Sequence, residues 1–67
     1  MALGKVKWFD ETAGYGFIAP NDGGTDLFVH YTELQAGGFK SLSNGQAVQF
    51  VVKPGAKGLH ATAIRRA

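Results

Sequence analysis

The side chains with chemistry to offer in this chain are rings. Tyr15, Phe17, Phe28, His30 and Tyr31 fall in one short stretch; Trp8 precedes them between Lys7 and Phe9, and Phe39 and His60 follow. Rings stack, and beside cations they hold flat, charged partners. The groups that break bonds are present without the spacing that catalysis needs. Asp10, Glu11, Asp22, Asp26 and Glu33 form no recognisable acid–base pair, and Ser41 and Ser43 lack the strand–turn–helix elbow of a nucleophile. His30 and His60 belong to no ligand series and cysteine is absent, so neither a zinc site nor a disulfide is expected. Asp22 and Asp26 flank Gly23-Gly24-Thr25 without the ligand spacing of a calcium loop. Gly14-Tyr15-Gly16-Phe17-Ile18-Ala19 formally fits the dinucleotide fingerprint G-x-G-x-x-G/A. That motif works by opening a helix, whereas Pro20 and a glycine loop follow here. The expectation is a binding protein with no catalytic residues, no cofactor and no metal.

The elements that must position these rings are short strands. β-prone runs occur at Lys5–Asp10, Tyr15–Ala19, Asp26–Tyr31, Gln46–Lys53 and Leu59–Arg65, separated by turn signals such as Asn21-Asp22-Gly23-Gly24 and Pro54-Gly55. Thr32–Gln35 can form a single helical turn with Thr32 as its cap. Five short antiparallel strands on so small a chain close up to protect their edges. The long connection between the third and fourth favours an all-β Greek-key barrel of the OB type over an SH3-like one.

Length and composition agree with that. Sixty-seven residues make one domain, 1–67, able to bury roughly 60% of its unfolded surface. Glycine at 10 residues is about twice the usual share, which disfavours a helical protein. With 45% hydrophobic and 18% charged residues the composition is globular. No apolar run approaches the ~20 residues of a membrane span, and the first residues lack a signal-peptide layout. A cytoplasmic monomer with no membrane and no small-molecule substrate is the expectation. A net charge of +2 permits a polyanionic partner without demanding one.

Alternation along the strands sorts the side chains into two sets. Ile18, Leu27 and Val29 share one face; Tyr15, Phe17, Phe28 and His30 share the other. A barrel of this size has one interior, so one set lies outside. Branched aliphatics, with Val6, Val48, Phe50, Val52 and Ile64, make the better core. That leaves the rings as an exposed patch, the mark of a binding surface. Bases of a single strand stacked on rings, with Lys or Arg along the phosphates, suit such a patch best. The opposite assignment, rings inside, also satisfies the alternation. Trp8 fits either side: strict alternation puts it with Val6, and a bulge would put it with the rings. The competing functional reading is a protein-interaction module using the same patch.

The chain resembles the bacterial cold-shock protein family over nearly its whole length. The resemblance is carried by Gly4-Lys5-Val6-Lys7-Trp8-Phe9, Gly14-Tyr15-Gly16-Phe17-Ile18, Asp26-Leu27-Phe28-Val29-His30-Tyr31, Gly37-Gly38-Phe39-Lys40 and the closing stretch from Gly58 to Arg65. The second and third of these are similar to the family's ribonucleoprotein motifs. The resemblance implies an OB barrel that binds single-stranded RNA and DNA with low sequence preference. It further implies an RNA chaperone that opens secondary structure and assists transcription antitermination or translation. The nucleic-acid contacts it implies are Lys7, Trp8, Tyr15, Phe17, Phe28, His30, Tyr31 and Phe39, with Asp26 on a base edge; Lys57 and His60 complete the expected set. It moves Trp8 and Tyr31 onto the binding surface, where alternation alone does not put them. Departures from the family's pattern are Ala13 for a lysine, Asp10 for an asparagine, Leu59 and His60 for a more polar pair, and Ala63 for an asparagine. They imply weaker, less salt-sensitive binding than a more basic relative shows.

Overall fold

The computed structural model describes residues 2–35, 37–56 and 58–67. Its strands are β1 (Ala2–Asp10), β2 (Tyr15–Pro20), β3 (Leu27–His30), β4 (Ala47–Gly55) and β5 (Gly58–Arg66), with one helical turn, α1 (Thr32–Gln35). The strands form a closed barrel in the order β1-β2-β3-β5-β4, with β4 returning to β1. Four of the five pairings are antiparallel. β3 and β5 meet in parallel, Phe28 opposite His60, because α1 and β4 lie between them in the chain and carry it across the barrel.

The aliphatic set is the interior. Val6, Ile18, Leu27, Val29, Val48, Phe50 and Ile64 are all buried. Leu34 of α1, Leu42, Phe39 and Ala61 complete the core. Val52, expected inside, is 41% exposed. It alternates correctly with Val48 and Phe50, but the outer part of β4 runs with β5 past the barrel as a two-stranded ribbon. Val52 and Leu59 there edge an open groove beside Pro20 and Leu27.

Phe39 also departs from expectation. Instead of presenting a ring on a loop, it is 7% exposed and belongs to the core. The Leu34 carbonyl accepts the amides of both Gly37 and Phe39 at 3.1 Å, and Gly38 takes φ +79°. That glycine turn folds the chain back over the barrel. The Arg66 guanidinium then lies 4.7 Å above the ring centroid, in cation–π geometry. The expected cap on α1 differs as well: the Thr32 hydroxyl is engaged by His30 Nδ1 at 3.0 Å.

Two bulges shape the barrel. One interrupts the β1–β2 register between Val6 and Trp8. The other lies in β5, where Ala63 and Ile64 together oppose Phe50, since Gln49 pairs Arg65 and Val51 pairs Thr62. Ala63 is the described non-glycine residue at positive φ, +52°, and its amide donates to Glu33 Oε1 at 3.4 Å. A left-handed conformation costs an L-residue roughly 1–2 kcal/mol, and glycine is the usual occupant of such a bulge. Ala63 is exposed, so no packing is lost on trimming it. Ala63→Gly should therefore stabilise the fold by about 0.5–1 kcal/mol after glycine's own entropy cost. Urea unfolding checks this; a lower midpoint would mean the bulge carries no strain.

Candidate nucleic-acid interface

The outward faces of the strands bring the rings together through the register itself. Trp8 is opposite Phe17, Phe17 opposite Phe28, Phe28 opposite His60, and His60 opposite Lys53. One row thus crosses all five strands, beginning beside Lys7 and ending on a second lysine. Tyr15 opposite His30 forms a shorter row next to it. Phe28 is the hub. Its ring centroid lies 5.6 Å from Tyr15 in a stacked arrangement, 5.9 Å from Phe17 and 5.2 Å from His60. Trp8 lies 5.4 Å from Phe17 and 5.7 Å from Tyr15. These separations and tilts are those of favourable aromatic pairs, so the rings hold one another in place. Trp8 and Tyr15 remain 37% and 36% exposed.

Strict alternation misplaces Trp8 and Tyr31 for different reasons. The bulge adds Lys7 between Val6 and Trp8, so Val6 stays inside while Trp8 turns to the ring face. Tyr31 lies one residue past the end of β3 and is released from its alternation. Its amide donates to the Gly14 carbonyl at 2.9 Å, and its ring covers Gly14, where a Cβ would approach it to 3.0 Å. Gly14 also takes φ +81°, so both the turn and the ring require glycine there. Tyr31 is 47% exposed and 4.5 Å from His30.

The charged groups are less free than the sequence implies. Lys7 Nζ pairs with Asp26 Oδ2 at 2.8 Å, which joins two expected contacts into one exposed ion pair. Such a pair contributes about 0–1 kcal/mol to stability, so both ends remain available to a ligand. Asp10 serves the fold, because its Oδ1 accepts the amides of Thr12 at 2.9 Å and Ala13 at 3.1 Å and so closes the turn before β2. Asp22 does the same for Gly24 at 2.9 Å. His30 Nδ1 faces the Thr32 hydroxyl and also accepts the Thr32 amide at 3.4 Å. Lys57 lies outside the described residues. Among the described residues no group of three or more His, Cys, Asp or Glu is placed to hold a metal.

Lys53 is a cation of this face that the sequence alone does not single out. It shares the outward parity of Val51, but only the β4–β5 register places it beside His60 and so in line with the rings. Of the expected set, the structure brings Trp8, Tyr15, Phe17, Phe28, His30, Tyr31 and His60 into one surface, sets Lys7 and Asp26 together, and withdraws Phe39 into the core.

A closed five-stranded barrel with rings and cations on one outer face is the architecture of an OB-type binding domain. The chain belongs to the cold-shock domain family, a family of nucleic-acid-binding domains: the model for the "'Cold-shock' DNA-binding domain" matches residues 2–67. It is 52% identical to the probable cold shock protein A of Mycolicibacterium smegmatis over 65 residues, 97% of each chain. It is 55% identical to the cold shock-like protein CspA of Bordetella pertussis over 65 residues, again 97% of each. Among solved structures it is similar to "drosophila Unr CSD456", with a TM-score of 0.75 at 25% identity. That match covers 98% of this chain and 26% of the longer one, so the chain spans about a quarter of that protein.

Proposed function

We propose that this protein binds single-stranded RNA and DNA with low sequence preference and acts as an RNA chaperone in the cytoplasm. The observation that carries the reading is the row Trp8–Phe17–Phe28–His60–Lys53, flanked by Tyr15, His30 and Tyr31. Every base has a π face, so stacking on such rings tolerates any sequence, at roughly 1–3 kcal/mol per base. Lys7, Lys53 and, by its place in the sequence, Lys57 serve the phosphates, and Asp26 a base edge. Opening of secondary structure then needs no nucleotide hydrolysis. A ligand that holds unpaired bases shifts the equilibrium toward the open strand by its differential affinity for that form. Help with antitermination or translation follows from the same shift. A monomer suffices, since one copy carries the whole row. Among the described residues no helix is long and apolar enough to cross a membrane.

Titration with a short oligo-pyrimidine strand, followed through Trp8 fluorescence and by anisotropy, tests the reading. Saturable quenching is expected with the single strand and little with the matching duplex. With three or four phosphates neutralised, log affinity should fall against log salt with a slope of about −2 to −3. A folded protein that shows no binding by either probe, or binding indifferent to salt, would point instead to an apolar protein partner.

A further inference from the structure

At the β5 end of the ring row the surface sinks into a pocket of about 370 Å³ between β3, α1 and β5. Phe28 and His60 wall it on the ring side, Ala61 lies at its base, and His30, Thr32 and Glu33 complete the rim. The His60 ring lies against the backbone of Gly55, where a Cβ would collide with it; glycine at 55 is what lets the ring sit so close to the ribbon. His60 Nε2 is buried and has no hydrogen-bond partner. Glu33 stands out for its charge. Of the other carboxylates near the rings, Asp26 is paired with Lys7 and Asp10, opposite Tyr15, is taken up by the turn amides of Thr12 and Ala13, whereas no ion pair to Glu33 occurs among the described residues. One Glu33 oxygen takes the Ala63 amide at 3.4 Å, and the residue lines the pocket.

A carboxylate with no cation partner among the described residues, set beside a phosphate-binding face, is a poor feature unless it contacts something other than phosphate. The geometry points to a base-reading subsite in which a nucleobase packs against Phe28 and His60 and donates an exocyclic amino group to Glu33. This rests on the nucleic-acid reading above and refines it at one position of the bound strand. The chemistry ranks the bases. Guanine offers Glu33 two adjacent donors, N1–H and the 2-amino group, and so can pair with a carboxylate in bidentate fashion. Cytosine and adenine offer their amino groups alone. Thymine and uracil present an N–H between two carbonyl oxygens, which a carboxylate repels. The remaining rings keep their tolerance, so the specificity belongs to one position.

The test uses the full chain and a set of oligo-thymidylate strands carrying a single dG, moved through each position, with binding measured by anisotropy at about pH 7.5. One register is expected to bind about tenfold tighter than the unsubstituted strand, the scale of a good carboxylate–base contact. Inosine at that register, which lacks the 2-amino group, should lose most of the gain. In Glu33→Gln the amide oxygen can still accept from Ala63, so the bulge is kept; urea unfolding verifies it. That variant should bind plain oligo-thymidylate more tightly, a negative charge having left the face, while the dG preference collapses. A preference that survives Glu33→Gln, or a flat response to dG at every position, overturns the subsite and leaves general single-strand binding standing. Failure of a folded protein to bind any of the strands overturns the nucleic-acid reading itself.

Discussion

Phe28→Ala should weaken single-strand binding by about 1–3 kcal/mol, roughly 5- to 150-fold, while leaving the barrel folded. The ring is half-buried and outside the core, yet it touches Tyr15, Phe17, His30 and His60 at once. Its removal takes away one stacking site and also the support that fixes four others. The loss in affinity should therefore sit at the upper part of that range, with a smaller change in unfolding midpoint. Anisotropy titration beside urea denaturation separates the two quantities. If stability falls as far as affinity does, the rings are part of the folding core and the two-face description fails.

Phe39→Ala is expected to do the reverse. Its ring closes one end of the barrel beneath Arg66, and burial of a phenylalanine typically puts the cost of truncation at about 3–5 kcal/mol. Phe39 keeps a small exposure, 7%, where Ile18, Val29 and Phe50 keep none, so a loss of about 3 kcal/mol is expected, the lower end of that range. In a domain of this size that is a large part of the total stability. Measured at low temperature, where the variant is still folded, its affinity for a single strand should change little. Urea unfolding gives the first quantity and anisotropy the second. A variant of unchanged stability and much reduced affinity would return Phe39 to the binding surface.

The contrast between these two phenylalanines shows what a sequence of this kind discloses. Strands alternate, so period alone separates Ile18, Leu27 and Val29 from Phe17 and Phe28, and the branched aliphatic character of the first set, shared with Val48 and Ile64, is what sorts it inward. Phe39 lies in no strand, and nothing local says whether a loop ring folds back; here a glycine turn and two bonds to the Leu34 carbonyl decide it. Val52 obeys the period and still misses the core, because the period gives a face and not how far the barrel extends beneath it. Trp8 needs the bulge, an event of pairing between two strands rather than of either one. Lys53 needs the β4–β5 register, and Glu33 its approach to the β5 bulge from thirty positions away in the chain. Resemblance to the family supplies Trp8 and Tyr31; the close packing of the rings around one hub is a property of the folded barrel.

The spacing of the rings has a mechanical meaning. Along the row the centroids step by 5.4, 5.9 and 5.2 Å, a pitch imposed by the distance between neighbouring strands. Successive bases in a duplex strand rise by only about 3.4 Å. A nucleic acid cannot match both periods at once. To occupy the row it must stretch out of its own helical stack, and a stretched strand no longer fits its complement. If bases stack along the row as proposed, the barrel would work as a ruler cut to the wrong scale for a double helix. Adenine-rich strands, which hold their own stack most firmly, must give up more to lie along it than uracil-rich ones.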